Sequence, residues 1–332
     1  MKRGLIVICG PTAAGKTALA IALAKKLRSP ILGADSRQIY RDLNIGTAKP
    51  TVEERSQAPH HLVDCWDPRE NLTLAVYQSQ AQALIETVHA QSTGGIFADD
   101  ISVPLLVGGT GLYIKSIVRG MKIPQVPPQG QLRSQLKNID QRERYQWLCQ
   151  VDPAASNKIH PNDSTRTLRA LEVFYDAGSP LSSLQGEAPP SYPILTIGVD
   201  CLNDPVGKKG ADHPGDRLTQ RIKRRTAAMI DQGLVEEVRH LRSRYGAHLP
   251  LLKTLGYDEM AQYLDGVLTL EQAEAQIVRH TRQFAKRQRT WFRGDRSIQW
   301  IDSDDSRQWY TVWGWVEDFL ETIPEDAPKN QS

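Results

Sequence analysis

Cysteine is scarce in this chain: four in 332 residues (Cys9, Cys65, Cys149 and Cys201), far apart and without a C-x-x-C pair. That spacing excludes a zinc ribbon or a disulfide framework and suits a reducing compartment. No apolar stretch approaches membrane-spanning length. The basic start Met1-Lys2-Arg3 runs into an apolar stretch that breaks at Gly10-Pro11, too early for the hydrophobic region of a signal peptide. Excess charge of either sign is missing too: 41 Lys and Arg against 38 Asp and Glu leave +3, a total that says little about partners. No internal repeat is present. These absences predict a soluble, cytoplasmic protein with no membrane partner. An apolar fraction of 40% and a charged fraction of 24% are ordinary for a globular chain, long enough for two domains or for one with a large insertion.

What is present begins at residue 10. Gly10-Pro11-Thr12-Ala13-Ala14-Gly15-Lys16-Thr17 is a complete G-x-x-x-x-G-K-[ST] phosphate-binding loop, directly after the apolar run Leu5–Cys9. The two glycines let the backbone curl so that successive N–H groups point inward at phosphate oxygens. The positive end of the following helix adds to that attraction. Lys16 supplies a mobile point charge, and the Thr17 hydroxyl is placed to ligate Mg²⁺. A plain glycine-rich turn would leave Lys16 and Thr17 unexplained.

Leu19, Leu23 and Leu27 recur at spacing four and predict a helix over Lys16–Arg28. A second strand is expected at Ile31–Ala34, ending at Asp35. A helix follows over Leu74–Gln91, then a third strand at Pro104–Val107 ending in Gly108-Gly109-Thr110-Gly111. Strands alternating with helices imply a parallel, doubly wound sheet, whose ligands bind beyond the carboxyl ends of the strands. After Gly120 the character changes: a linker with Pro124, Pro127, Pro128 and Gly130, then charged helical segments that include Ser164–Ala177, N-capped by Asp163 or Ser164. The sheet resumes at Ile194–Val199, residues 203–216 read as a surface loop, and helices dominate from Asp216 to about Phe292. The tail after Ile301 reads as acidic and polar. The expected fold is therefore α/β: a P-loop NTPase-like parallel sheet core, residues 1–120 and 191–332, with a helical insertion domain, residues 121–190.

Charge is clustered even though its total is balanced. Residues 217–225 hold Arg217, Arg221, Lys223, Arg224 and Arg225, and residues 279–296 hold seven basic side chains interleaved with Phe284, Trp291 and Phe292. Such a pattern suits a nucleic-acid-facing helix or a solvated basic face. Asp35, at a strand end beside the phosphate loop, could hold Mg²⁺, accept a proton from a nucleophile, or merely cap a turn. The second acidic strand usual in ATPases is missing after the third strand, which weakens a motor or ATPase reading. Adjacent His60 and His61 near Asp64 point oppositely in an extended segment, so loop or core structure is expected there rather than metal ligation.

Seven motifs run in order: Gly10–Thr17; Asp35-Ser36-x-x-x-Tyr40; Ile45–Pro50; Pro59–Asp64; Val107–Tyr113; His160–Asp163 with Arg169–Val173; and Gly256-Tyr257. In this the chain resembles the tRNA dimethylallyltransferases, over residues 5–301. The resemblance implies transfer of a dimethylallyl group from dimethylallyl diphosphate to the exocyclic amine of the adenine just 3′ of the anticodon. Gly10, Pro11, Thr12, Ala13, Ala14, Gly15, Lys16 and Thr17 would then bind the diphosphate, with Mg²⁺ as cofactor on Thr17. Arg225 matches a clamp on the same group, Asp35 the general base, and Thr110 a residue of the channel where adenine and prenyl carbon meet. The target base must leave its stack to arrive there. Contacts to tRNA would come from Asp35, Ser36, Arg37 and Gln38, from Thr165, Arg166, Thr167, Leu168 and Arg169, and from Lys253, Gly256 and Tyr257. Arg166 and Arg169, three apart, would share one helix face against the RNA backbone. The run Thr281–Gln288 is also family-like and would position phosphates. Residues 92–103 and 203–216 look inserted relative to the family, and without a zinc-finger tail the chain resembles its bacterial type, acting as a monomer on tRNA and dimethylallyl diphosphate. The rival expectations are prenylation of free AMP, ADP or ATP, a nucleotide kinase, and a non-catalytic RNA-binding module.

Overall fold

The computed structural model describes residues 2–90, 101–202 and 217–324. The expectations for residues 203–216 and for most of 92–103 lie outside these. The chain divides into two compact units, one of residues up to Ile114 and from Ser191 onward, the other Lys115–Pro190.

The first unit is built on six parallel strands: β1 (Leu5–Cys9), β2 (Ile31–Gly33), β3 (His60–His61), β4 (Leu105–Gly108), β5 (Ile194–Asp200) and β6 (Gln299–Asp302). Their order across the sheet is β6-β5-β1-β4-β2-β3, every neighbouring pair parallel. All five residues of β1 are buried, as an unbroken apolar run requires when both faces of a parallel sheet are covered. A short parallel pair, Lys2–Arg3 with Ile101–Ser102, precedes β1 and β4. The helices here are α1 (Lys16–Leu27), α2 (Val52–Ser56), α3 (Leu74–Ala90) and the start of α4 (Gly111–Val118). Beyond β5 come α10 (Arg217–Asp231), α11 (Leu234–Tyr245), α12 (Tyr257–Leu264), α13 (Leu270–Arg293) and α14 (Gln308–Thr322), numbered after the five helices of the second unit. No helix among the described residues is long and apolar enough to cross a membrane.

The tail after Ile301 differs from its acidic, polar reading. Val312, Val316, Phe319 and Leu320 of α14 are buried, at positions i, i+4, i+7 and i+8 of one face. They join the core cluster of Ile6, Ile8, Leu195 and Val199, with Trp309, Trp313 and Trp315 packed against it. Glu317, Asp318 and Glu321 occupy the exposed side. Composition reported that outer face, whereas the spacing of the apolar residues reported the inner one. His60 and His61 form an edge strand, with His60 Nδ1 2.8 Å from the Ala58 carbonyl oxygen.

The second unit holds α5 (Gly130–Lys137), α6 (Gln141–Val151), α7 (Pro153–Ser156), α8 (Ser164–Ala177) and α9 (Leu181–Leu184) around Leu136, Leu148, Leu168 and Leu171. Asp163 caps α8 by accepting the Arg166 N–H at 3.0 Å, and Gly178 closes it in the left-handed conformation. Its centre is the fully buried Glu172 carboxylate, which takes Arg133 Nε at 2.7 Å, Arg169 Nη1 at 2.6 Å and the Gln129 N–H at 2.6 Å. Burial alone would raise this carboxyl; the bonds from Arg133, Arg169 and Gln129 hold it below its ordinary value.

Because α14 is core, Phe319→Ala should cost roughly 3–5 kcal/mol, the range for truncating a buried aromatic. Urea unfolding measures it; a loss under about 1 kcal/mol would return the tail to the surface.

Candidate active site

Three strand ends meet at the carboxyl edge of the sheet. Residue for residue, Cys9 of β1 pairs with Gly108 of β4, and Gly33 of β2 with Val107. The chain after β1 turns sharply at Gly10 (φ 136°), where a Cβ would collide with the Val199 carbonyl oxygen. Ala13 (φ 63°) and Gly15 (φ 94°) then take left-handed conformations, and α1 starts at Lys16. Alternation of this kind turns main-chain N–H groups into one concavity, a place for an anion.

Around it lies a cavity of about 730 Å³, lined by Thr12, Lys16, Thr17, Asp35, Arg225 and Gln288 among others. Lys16 Nζ donates to the Pro11 carbonyl at 2.7 Å. Loss of water lowers its ammonium to about 8, against the pull of Asp35. Arg225, from α10, donates from Nη1 to Thr12 Oγ1 at 3.2 Å, and desolvation lowers it too, again opposed by Asp35. Two cations with little water are thus held beside one carboxylate, an arrangement that favours an incoming anion of more than one charge.

Asp35 Oδ1 accepts the Arg37 and Gln38 N–H groups at 2.8 and 3.3 Å, which caps the turn after β2. Its other oxygen takes no hydrogen bond among the described residues, so one carboxylate both caps and faces the cavity. Thr110 clasps the same turn: its N–H donates to the Ala34 carbonyl at 3.1 Å and its Oγ1 accepts the Ser36 N–H at 3.0 Å. Gly108 makes this possible, since a Cβ there would overlap the Ala34 backbone. Thr17 lines the cavity with a hydroxyl that makes no side-chain hydrogen bond among the described residues. Mg²⁺ keeps most of its waters and takes one or two protein oxygens plus phosphate oxygens, a donor set that Thr17 and a bound diphosphate fit. Among the described residues no group of three or more His, Cys, Asp or Glu could hold a metal by itself.

Several residues expected at the tRNA surface are engaged elsewhere. The Tyr257 ring is fully buried, and its hydroxyl donates to Glu237 Oε1 at 2.7 Å. That carboxylate also accepts the N–H groups of Asn44, Ile45 and Gly46 at 2.8–3.1 Å. A Cβ on Gly46 would lie 2.6 Å from the Tyr257 ring, so the Ile45–Pro50 and Gly256-Tyr257 motifs are packing partners. Buried Gly256 (φ 88°) is the N-cap of α12, while Lys253 is exposed. Gln38 donates from Nε2 to the Thr47 and Ala48 carbonyls, both at 3.0 Å; Ser36 is half-buried and Arg37 exposed. In the second unit Thr165 and Arg166 are exposed, but Thr167 and Leu168 are buried. Arg169 is bound to Glu172 and to the Val126 carbonyl at 2.8 Å. Of the two arginines expected to share a face, Arg166 is the exposed one, with Nε 3.5 Å from Asp163 Oδ2. One face of α13 is likewise inward, with Ala285, Gln288 and Phe292 buried and Lys286, Arg287 and Arg293 exposed.

Two features escaped the sequence reading. Glu237 carries no motif of its own. Asp200 does carry a signal, an apolar strand ending in an acid, but at β5 rather than after β4. It is fully buried and gripped by the Arg289 fork, with Nε–Oδ2 at 2.9 Å and Nη2–Oδ1 at 2.7 Å, so it is a structural ion pair.

The IPP transferase family model matches residues 38–295, more than half of the chain. The chain belongs to the IPP transferase family. Among its relatives is the tRNA dimethylallyltransferase of Acaryochloris marina, 56% identical over 313 residues, with 94% of this chain and 97% of that one covered. That of Crocosphaera subtropica is 55% identical over 303 residues, 91% and 93% covered. Among solved structures, the tRNA isopentenylpyrophosphate transferase of Bacillus halodurans has a TM-score of 0.68 at 33% identity, covering 96% of this chain and 97% of that one. A eukaryotic dimethylallyltransferase acting on tRNA has a TM-score of 0.76 at 25% identity, covering 98% and 82%. The family model starts downstream of the phosphate loop, so in this IPP transferase the cradle is read from residues 10–17 and their geometry.

Because the Lys16 ammonium loses its proton near pH 8, affinity for inorganic diphosphate should fall between pH 7 and pH 9. Titration calorimetry at the two pH values measures it. The fall should vanish in Lys16→Ala; an equal fall in that variant would take the pH response away from Lys16.

Proposed function

We propose that this IPP transferase moves the dimethylallyl group of dimethylallyl diphosphate to the exocyclic amine of the adenine 3′-adjacent to the anticodon in tRNA, releasing diphosphate. The observation that carries the reading is Asp35, with one carboxylate oxygen unbonded among the described residues, lining the same cavity as Lys16 and Arg225. A leaving-group site and a base stand in one enclosure. The names and lengths of the relatives support the choice of tRNA and prenyl donor.

The amine nitrogen forms a bond to the prenyl C1 as the bond from C1 to the diphosphate oxygen breaks. The amine proton passes to Asp35, and the electron pair of the broken bond leaves with the diphosphate. Negative charge grows on that group as it departs, so Lys16, Arg225, the Thr12 hydroxyl and the loop N–H groups bind it more strongly in the transition state than before. Thr110 holds the Ala34–Ser36 turn and with it the base. Mg²⁺ held by Thr17 and diphosphate oxygens would add positive charge against the same leaving group. For tRNA, exposed Arg37, Arg166, Lys253, Lys286, Arg287 and Arg293 offer phosphate contacts, while the buried motif residues shape the surfaces that carry them.

Incubation with labelled dimethylallyl diphosphate and either tRNA or free adenylate tests the assignment. Label on the tRNA adenine is expected; label on free nucleotide alone, or γ-phosphate transfer from ATP, overturns it. Asp35→Asn should lower turnover by roughly 10²–10⁴-fold with tRNA affinity nearly unchanged, as for a positioned base; a loss below tenfold would remove that role. The two arginines of α8 should separate. Arg166→Ala should weaken tRNA binding and flatten its dependence on salt by about one phosphate contact. Arg169→Ala should chiefly lower the unfolding midpoint, because it strips a partner from buried Glu172.

A further inference from the structure

Beyond Cys9 and Gly108 the ladder between β1 and β4 ends, and the two loops that follow need partners for their main-chain groups. Gln288 of α13, 6% exposed, stands between them. Its Oε1 accepts the Thr12 N–H at 2.8 Å, and its Nε2 donates to the Gly109 carbonyl at 2.9 Å. A carboxamide has one acceptor and one donor group in a fixed plane, as a peptide unit does. Gln288 therefore adds one rung to the sheet where no strand is left to supply it.

That rung joins the two halves of the site. On one side is the loop that carries Lys16, with Arg225 bonded to Thr12 itself. On the other, Gly109 leads directly into Thr110, which holds the peptide groups on either side of Asp35. Gly109 leaves room for the carboxamide, since a Cβ there would collide with Gln288 Nε2. The helix that brings Gln288 is itself registered at two neighbouring points. Arg289 forks onto Asp200 at the end of β5, and the Trp291 indole fills the space beside Gly111.

We propose that Gln288 is a positioning residue for the transfer, setting the separation between the diphosphate cradle and the Asp35 base; this rests on the transferase reading above. Acting through Thr12 and Gly109, it governs turnover rather than substrate affinity. A displacement near 1 Å between reacting groups is enough to cost about 10²-fold in rate.

The experiment compares wild type, Gln288→Met and Gln288→Glu in prenyl transfer from dimethylallyl diphosphate to tRNA. Methionine keeps the length and loses both bonds. Glutamate keeps an acceptor for the Thr12 N–H but sets a second oxygen against the Gly109 carbonyl. In both, kcat should fall roughly 10–100-fold, with KM for each substrate and the tRNA Kd within about threefold of wild type. Thermal unfolding should stay cooperative. Variants as fast as wild type, or slowed only through KM or Kd, overturn the proposal and leave the transferase reading intact. Loss of cooperative folding in both variants overturns it as well, by making Gln288 a stability residue. A wild-type protein that puts no prenyl group on tRNA overturns the transferase reading and this proposal with it.

Discussion

Close approach of backbone at the carboxyl edge of the sheet is the constraint on which the site depends. Gly10 lies against the Val199 carbonyl and Gly108 against Ala34, in both cases with no room for a side-chain carbon. This lets β5, β1, β4 and β2 end side by side, and it brings the phosphate loop and Asp35 to one cavity, with Thr110 bonded to the turn that carries Asp35. Were either strand pushed outward by a methyl group, Lys16, Arg225 and Asp35 would still exist, but not around one cavity.

The fold disposes of its charges in two ways. Glu172, Glu237 and Asp200 are carboxylates whose oxygens are filled by arginine forks, amide N–H groups or a tyrosine hydroxyl. The Asp64 carboxylate joins them, with Lys49 at 2.7 Å and Arg55 at 3.2 Å. Glu237 and Asp200 tie elements far apart in sequence, and removing the arginine from a buried pair such as Asp200–Arg289 leaves an uncompensated charge, which costs about 3–5 kcal/mol. Asp35, Lys16 and Arg225 are the exception. They share a cavity, Lys16 and Arg225 are short of water, and one oxygen of Asp35 takes no hydrogen bond among the described residues.

The motif residues divide in the same way. The phosphate loop, the Asp35 turn and the end of β4 combine local turns with close backbone contacts to distant strands, Gly10 against Val199 and Gly108 against Ala34. Arg169 and Tyr257 belong to equally recognisable motifs, yet their side chains point inward to Glu172 and Glu237. A motif states that a residue type is required, and a buried ion pair requires it as strictly as an RNA phosphate does. The α14 helix shows the same ambiguity in composition, since its acidic residues drew attention away from four buried apolar ones.

By itself the sequence determined the phosphate cradle, the parallel α/β architecture, the helical character of the segment after Gly120 and the resemblance to a prenyl-transfer family. These rest on short-range backbone preferences and on apolar periodicity, both written in consecutive residues. Only the tertiary structure decided which charged side chains line the cavity and which neutralise one another. It also decided that α13, 276 residues along the chain from Thr12, would supply a peptide-like rung through Gln288. Long-range hydrogen-bond partners are chosen by packing, and packing has no signature in the spacing of the residues it joins.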